Sequence, residues 1–214
     1  MKKSNNLNKM RDIVKEGYEK NNYFKKYRRN RDLTDFETDF FKKFIEILPE
    51  TPEILDWGSG PGVPYDLYLS ENNCIITGID LSEKHVKMAK KNVRMAKYFV
   101  GDFTKYDYAN KKYDSIISLY SIIHIPRKEH QDLFNNANKL IKEGGIVLFT
   151  IGFKDKDEIK DDFCDYKMAW SHYESEVTLK LLENAGFEIL LARNEFDYGS
   201  DERHIWVLAK KKKL

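Results

Sequence analysis

A chain of 214 residues with 41% hydrophobic and 34% charged residues has the length and composition of a soluble protein with one sizeable hydrophobic core. Its net charge of +2 provides no overall field for nucleic acid or lipid, and its two cysteines, Cys74 and Cys164, exclude a disulfide framework and a C-x-x-C metal pair. Neither the apolar run of a signal peptide nor the ~20 apolar residues of a membrane span is present, so we expect a cytoplasmic protein without a membrane partner.

The first 50 residues predict a helical cap, with residues 51–214 as the core. Residues 4–31 are polar and aromatic and indicate one or two helices. Three tyrosines there are candidates either for a lid over a ligand or for an aromatic stripe packed on the sheet edge: Tyr18, Tyr23 and Tyr27. The stretch from Lys20 to Arg31 has six basic residues and no acid, so contact with RNA phosphates is a further interpretation of it.

An amphipathic helix is predicted from Asp32 to Leu48. Apolar residues recur there at three- and four-residue steps, at Phe36, Phe40, Phe44 and Ile47 or Leu48. Thr34 or Asp35 can cap its start, and Pro49 ends it.

A glycine-rich turn follows the first predicted strand. Residues 53–57 suit a buried strand, and glycines then occupy alternate positions: Gly58, Gly60 and Gly62. Pro64 suits the first turn of a helix. At such a strand-to-helix turn a ligand can approach the backbone and its free N–H groups. A dinucleotide motif, G-x-G-x-x-G, requires glycine where this chain has Val63.

Strands and helices alternate from residue 53 to 186. Strands are predicted at 53–57, 74–80, 98–100, 113–119 and 146–151, with helices at 65–69, 82–96, 127–142 and 174–184. Strands at 187–196 and 203–209, joined by a turn at Gly199-Ser200, close the chain. This pattern predicts a doubly wound α/β fold with a mostly parallel sheet, helices on both faces and an antiparallel last strand.

Residues 152–173 interrupt that pattern. Six acids between Asp155 and Asp165 are mixed with aromatic residues, which indicates a solvated lid that caps the substrate. The acids lack the pattern of a calcium loop, and no other group has the spacing of metal ligands, so no metal site is predicted. Through their field, the acids would favour a cationic or amine substrate.

The acid-x-G-x-G-x-G pattern from Asp56 to Gly62 resembles that of the class I S-adenosyl-L-methionine (SAM)-dependent methyltransferases. The element order over residues 53–209 is similar to theirs as well. The resemblance implies a Rossmann-like, seven-stranded sheet of order 3-2-1-4-5-7-6, with SAM as cofactor and S-adenosyl-L-homocysteine as product.

Three acids lie at the carboxyl ends of predicted strands: Asp56, Asp80 and Asp102. Because the carboxyl ends of parallel strands share one edge of the sheet, we expect them around one ligand, although each could separately be a turn former or a cap. Asp80 is placed to accept hydrogen bonds from both ribose hydroxyls of SAM or of a dinucleotide. The resemblance implies that Asp102 accepts from the adenine amino group and that Asp56 orients the methionine amino group.

Four further positions gain a cofactor role from the resemblance. It implies that Leu81 and Phe103 contact the adenine and that Ser118 or Leu119 faces the methionine part. The segment Ser118–Ser121 departs from the Asn/Asp-Pro-Pro-Tyr/Phe of the enzymes that methylate adenine or glutamine amino groups. The resemblance therefore favours the small-molecule branch, with transfer to oxygen or nitrogen.

Other functions and assemblies stay open. RNA or protein methylation and a non-catalytic SAM-binding subunit are alternatives, whereas Val63 disfavours an NAD oxidoreductase. The sequence is compatible with a monomer or a homodimer.

Two histidines are candidate bases. Methyl transfer to a hydroxyl or ammonium requires that a proton be removed. His124 lies where the substrate pocket is expected, and His172 lies beside Trp170 and Tyr173 in the predicted lid; each could instead pack or cap. The other histidines are predicted to be structural, the first two on surface helices: His85, His130 and His204.

Overall fold

The computed structural model describes residues 2–21, 23–25, 32–195 and 203–213. The predictions for Tyr27, for most of the basic run and for the turn at Gly199-Ser200 lie outside these residues. Within the described ranges, no helix combines the length and the apolar character needed to cross a bilayer.

A seven-stranded sheet forms the centre of the molecule. The strands of the chain are β1 (Glu53–Trp57), β2 (Ile75–Asp80), β3 (Lys97–Val100), β4 (Tyr113–Ser118), β5 (Ile141–Gly152), β6 (Lys156–Phe163), β7 (Tyr166–His172), β8 (Phe187–Asn194) and β9 (His204–Lys211). The sheet order is β3-β2-β1-β4-β5-β9-β8, and β9 runs antiparallel to β5 and β8. Counted along the strands of this sheet, the predicted order 3-2-1-4-5-7-6 with an antiparallel last strand is confirmed.

Helices cover both faces of the sheet. They are α1 (Lys2–Lys20), α2 (Asp35–Glu46), α3 (Tyr65–Glu71), α4 (Glu83–Asn92), α5 (His130–Leu140) and α6 (Ser175–Asn184), with 3-10 turns at Ile122–His124 and Arg127–Glu129. One hydrophobic cluster joins Leu55 and Trp57 of β1 to α5 and α6, and a second joins Ile54 of the same strand to α2 and α3. Side-chain alternation along β1 therefore divides the core into two layers.

The helix α2 belongs to this core. The Thr34 side chain accepts a hydrogen bond from the Glu37 N–H, and the Glu37 carboxylate accepts one from the Thr34 N–H, which forms a capping box. The phenylalanines Phe40, Phe41 and Phe44 are fully buried against the sheet. The predicted boundary at residue 50 therefore does not separate two hydrophobic cores.

The segment 152–173 is a β-hairpin and not the solvated lid that the sequence indicated. Strands β6 and β7 pair antiparallel and are joined by Cys164 and Asp165, which both have positive φ, as in the two-residue turns of hairpins. The strand β6 is largely exposed and carries most of the acids, whereas Met168, Ala169 and Trp170 of β7 are buried beneath α1.

Two histidines that were predicted on surface helices are buried. The exposed fraction of His85 is 4% and that of His130 is 0%. The His130 Nε2 atom lies 3.0 Å from the Ile125 carbonyl oxygen, and burial lowers the pKa of His130 to about 4. The prediction that these histidines lie on surface helices was wrong, because His85 in the first turn of α4 and His130 at the start of α5 both point inward.

Candidate active site

A cleft lies at the carboxyl ends of β1, β2 and β4, where the order of a doubly wound sheet reverses. Its open volume is about 1010 Å³, mouth included. The lining comes from α1 and residues 23–24, from the glycine turn after β1, from the residues that follow β2 and β3, and from the segment 119–125. A cleft at this position of a doubly wound sheet suits a nucleotide-like ligand.

The glycine turn has the backbone that the motif predicted. Gly58, Gly60 and Gly62 have φ values of 81°, 53° and 74°, in the region that favours glycine. A Cβ atom on Gly58 would collide with the Ser121 side chain, and one on Gly62 would lie 2.8 Å from the Tyr98 hydroxyl. A Cβ atom on Gly60 would meet nothing within 4 Å, so this glycine leaves open space at the cleft.

Asp80 fastens the glycine turn to the start of α4. One carboxylate oxygen accepts a hydrogen bond from the Gly60 N–H, and the other accepts from the Ser82 N–H, each at 2.8 Å. Ser82 in turn caps α4 through the His85 N–H. Because a carboxylate has about four acceptor sites, Asp80 can hold the turn and still accept from ligand hydroxyls.

Asp56 lies at the floor of the cleft with an exposed fraction of 5%. Its Oδ1 atom accepts a hydrogen bond from no described group. Burial and the neighbouring Asp66 carboxylate raise the pKa of Asp56 well above its usual value. An unsatisfied buried acceptor at this point suits a ligand that carries a donor or a positive charge.

Asp102 is not among the residues that line the cleft, so its predicted hydrogen bond to the adenine stays a prediction. Its Oδ2 atom lies 2.8 Å from Nε of Arg11, and its Oδ1 atom accepts from the backbone and the hydroxyl of Thr104. Arg11 also pairs with Glu129. Burial opposes the charge of Arg11, but its hydrogen bonds and charge interactions with the two acids raise its pKa. The neighbouring Phe103 does line the cleft, stacked on Trp57 with ring centroids 5.4 Å apart.

A tyrosine and a histidine meet on the side of the cleft formed by α1. The Tyr18 hydroxyl lies 2.9 Å from Nε2 of His124, and Nδ1 of His124 lies 2.7 Å from the Ala169 carbonyl oxygen. Because a carbonyl only accepts, the hydrogen of a neutral imidazole is on Nδ1, and Nε2 accepts from the Tyr18 hydroxyl. The structure thus joins the predicted base His124 to the predicted lid residue Tyr18.

Several predicted site residues lie outside the lining of the cleft. The His172 ring packs against Gly152 with Nδ1 3.3 Å from the Tyr173 carbonyl oxygen, and burial lowers its pKa. Trp170 lies behind His124, with ring centroids 5.7 Å apart, and Tyr173 packs against Arg127 and His130. The buried Ser118 hydroxyl donates to the Trp57 carbonyl. By contrast, Leu81, Leu119 and Tyr23 line the cleft.

Tyr65 and Tyr120 form an aromatic wall that was not predicted from the sequence. Their rings are nearly parallel, with centroids 6.4 Å apart, and both line the cleft. Each hydroxyl donates to a buried carboxylate at 2.6 Å, Tyr65 to Glu37 and Tyr120 to Glu195. The position of Tyr65 just after the glycine motif was a usable signal, whereas the positive φ of Tyr120 was not visible in the sequence.

The acids of the hairpin do not line the cleft. Many pair with nearby cations, such as Asp157 with Arg127 at 3.4 Å and Asp161 with Lys167 at 3.0 Å. Their field at the cleft is therefore weaker than their number suggested. Over the described part of the chain, no three His, Cys, Asp or Glu side chains converge as metal ligands.

Comparison with known proteins identifies the domain. A family model described as a methyltransferase domain matches residues 54–145. Phosphoethanolamine N-methyltransferase 3 of Arabidopsis thaliana is 32% identical over 165 residues, which are 73% of this chain and 33% of that protein. Malonyl-[acyl-carrier protein] O-methyltransferase 2 of Ilyobacter polytropus is 29% identical over 161 residues, which are 71% of this chain and 61% of that one. The chain thus spans about a third of the plant relative's length.

Solved structures share the fold. A SAM-dependent methyltransferase of Methanosarcina mazei has a TM-score of 0.69 at 17% identity, over 85% of this chain and 99% of that one. The magnesium protoporphyrin IX methyltransferase of Synechocystis, with S-adenosyl-L-homocysteine bound, has a TM-score of 0.67 at 17% identity, over 95% and 100%. The open space at Gly60 and the unsatisfied Asp56 oxygen fit SAM, the cofactor of this family. The chain belongs to the class I SAM-dependent methyltransferases.

Proposed function

We propose that the chain transfers a methyl group from SAM to the nitrogen or oxygen of a small molecule. One observation carries this proposal: the hydrogen-bonded pair of Tyr18 and His124 faces the same cleft as the glycine turn. Bound SAM would supply a methyl group that is electrophilic because it is attached to a positively charged sulfur. The residues of the chain must then bind that cofactor, hold the acceptor in line and take a proton from it.

The cofactor is assigned to the glycine-turn side of the cleft. The open space at Gly60 would admit it, Asp80 would accept hydrogen bonds from its ribose, and Asp56 would accept from its ammonium group. Phe103 and Leu81 provide apolar contact for the adenine. Because Asp102 is bound to Arg11, its predicted hydrogen bond to the adenine is not part of this assignment.

The acceptor is assigned to the side of the cleft formed by α1. There Tyr18 can take a proton from the acceptor while its own hydroxyl proton moves to Nε2 of His124. The Ala169 carbonyl stabilises the resulting imidazolium through Nδ1–H and keeps the ring oriented. His172 has no part in this step, because it does not line the cleft.

The proposed acceptor is a small amine. The first relatives are named phosphoethanolamine N-methyltransferases, which supports an amino alcohol or its phosphate as the first class to test. The rings of Tyr65 and Tyr120 support the same choice, because aromatic faces attract ammonium groups by about 0.5–2 kcal/mol. A relative named as an O-methyltransferase keeps a hydroxyl or carboxyl acceptor as the second class.

The proposal is tested by binding and by transfer. Calorimetry with SAM and S-adenosyl-L-homocysteine is expected to show binding to wild type and at least tenfold weaker binding to Asp80→Ala. Methyl-labelled SAM is then supplied with ethanolamine, phosphoethanolamine, total RNA or total protein, and label is expected only in the small-molecule reactions. Label in RNA would instead assign a function to the basic run, and binding without transfer to any acceptor would indicate a non-catalytic SAM-binding subunit. Light scattering on the same sample would distinguish a monomer from a homodimer.

A further inference from the structure

A second carboxyl group lies directly behind the floor of the cleft. Asp56 lies near the carboxyl end of β1, and Asp66 lies in the first turn of α3; their exposed fractions are 5% and 1%. The Oδ1 atoms of both side chains have no hydrogen-bond partner among the described groups. The Oδ2 atom of Asp66 accepts a hydrogen bond from the Tyr98 hydroxyl at 2.8 Å.

The two carboxyl groups face each other closely enough to share a hydrogen bond. Two buried carboxylates at such a separation cannot both be ionised without a compensating charge, whereas one shared proton satisfies both groups. Burial raises the pKa of Asp66 to about 6, and burial together with the Asp66 charge raises the pKa of Asp56. The pair therefore retains a proton at pH values where an exposed aspartate has lost it.

The groups around the pair do not supply a compensating charge. Tyr98 of β3 is a neutral donor, and Asp80 at the end of β2 adds negative charge. His85 of α4 lies 3.8 Å from Asp80, but burial lowers the pKa of His85 and so disfavours its charged form. No lysine, arginine or histidine in the described residues forms an ion pair with Asp56 or Asp66. A positive charge can therefore reach the pair from the cleft, which Asp56 lines.

We propose that Asp66 is a positioning residue for cofactor binding, which holds a shared proton with Asp56 until the ammonium group of SAM displaces it. The inference rests on the proposed function, because it requires SAM or its product in the cleft. On binding, the ammonium group would donate a hydrogen bond to the Asp56 carboxylate, Asp66 would keep the hydrogen bond from Tyr98, and the shared proton would pass to the solvent. Cofactor affinity therefore increases as the pH rises.

Isothermal titration calorimetry with S-adenosyl-L-homocysteine measures this proton directly. Titrations at pH 6.5 in buffers of different ionisation enthalpy give the number of protons released per ligand bound. At this pH the ligand's own α-amino group, with a usual pKa of about 7.7–8.0, is already protonated. Wild type is expected to release between half a proton and one proton per ligand bound. At pH values below the pKa of the pair, its Kd is expected to fall by up to about tenfold for each unit by which the pH rises.

Three comparisons separate this role from a structural one. Asp66→Asn keeps the shape of the side chain and the Tyr98 contact but cannot share the proton. Proton release on ligand binding is therefore expected to fall to near zero in this variant, and its Kd is expected to vary less than twofold over the pH range in which the wild-type Kd changes. Tyr98→Phe keeps both acids and is expected to release protons on ligand binding as wild type does. The ligand 5′-methylthioadenosine lacks the amino-acid end and is expected to bind wild type without release.

Each result bears on a different claim. If wild type bound neither SAM nor S-adenosyl-L-homocysteine, the proposed function would fail. If wild type bound the product without releasing a proton, or if Asp66→Asn released as many protons as wild type, the inference about Asp66 would be overturned while the function stood. The wild-type titrations decide the question even if Asp66→Asn does not fold, and Asp56→Asn then provides the second variant.

Discussion

Replacement of Tyr18 by phenylalanine isolates the proposed proton transfer from everything else in the cleft. The variant loses only the hydroxyl that lies 2.9 Å from Nε2 of His124. The ring contacts of Tyr18 with Tyr23, His85 and His124, at centroid distances of 6.0, 5.5 and 5.5 Å, can all be kept by phenylalanine. The fold and the cofactor side of the cleft should therefore be unchanged.

The expected size of the effect follows from the role assigned to this hydroxyl. A positioned proton-transfer group contributes about 10²–10⁴-fold to a rate, which corresponds to roughly 3–5 kcal/mol at 1.36 kcal/mol per factor of ten. Loss of the hydrogen bond itself should lower the free energy of unfolding by only about 0.5–1.5 kcal/mol. We therefore expect kcat to fall at least 100-fold in a protein that is nearly as stable as wild type.

The assay measures initial rates of S-adenosyl-L-homocysteine formation at saturating SAM and acceptor, with product Kd from calorimetry and stability from urea unfolding. Tyr23→Phe is the matched control, since it removes a second phenol hydroxyl at the cleft without altering the His124 contact. A Tyr18→Phe rate within threefold of wild type would refute the proton-transfer role. So would an equal loss in Tyr23→Phe.

Three further predictions concern the turn, the N-terminal helix and acid stability. Gly60→Ala should fold, at a cost of about 1–2 kcal/mol for the positive φ of residue 60, but should raise the calorimetric Kd for SAM at least tenfold. Gly58→Ala should also disturb folding, because the new Cβ atom would collide with Ser121. An unchanged affinity for SAM in Gly60→Ala would place the cofactor elsewhere. Arg11→Met should lower the free energy of unfolding in urea by about 2–3 kcal/mol. This is less than the usual cost of breaking a fully buried ion pair, because the Glu129 side chain is 29% exposed. A change below 1 kcal/mol would show that the ion pairs of Arg11 do not stabilise α1. The pKa of His130 is about 4 in the folded protein, below its usual value, so as the pH falls the unfolded state binds a proton first, and the stability contributed by neutral His130 is lost between pH 6.5 and 4. The difference in free energy of unfolding between wild type and His130→Gln should therefore shrink by up to about 3 kcal/mol over that range. A constant difference would contradict the assignment.

The central fold was predictable because its signals are local and repeated. Each predicted parallel strand is an apolar run beside a helical pattern, and the handedness of crossovers leaves few topologies for such an alternation. The hairpin β6–β7 has no such signal. Its turn residues, Cys164 and Asp165, adopt positive φ without the glycine or asparagine that usually marks a tight hairpin, and the acids of β6 suggested a solvated loop.

The candidate site divides in the same way. The glycine turn and Asp80 belong to short segments whose geometry follows from the local chain, so the sequence identified them. Asp102 occupies an equivalent place at a strand end, but Arg11, far away in the sequence, binds its carboxylate. Asp66 was missed for a related reason: a lone acid in a short helix has no pattern, and only its burial beside Asp56 gives it a chemical role.

The pair of Tyr18 and His124 depends on the part of the fold that the sequence did not reveal. The Ala169 carbonyl of β7 fixes the imidazole, and Val14 of α1 packs in one cluster with Met168 of the same strand. The two partners of the proposed proton transfer are therefore held by one hairpin that is not part of the central sheet. A Cβ atom on Gly17 would lie 2.8 Å from the Lys167 carbonyl, so α1 approaches β7 as closely as its backbone allows. In the proposed mechanism the cofactor contacts only the carboxyl edge of the sheet and the loops there, whereas the proton transfer requires that this hairpin and α1 be packed together.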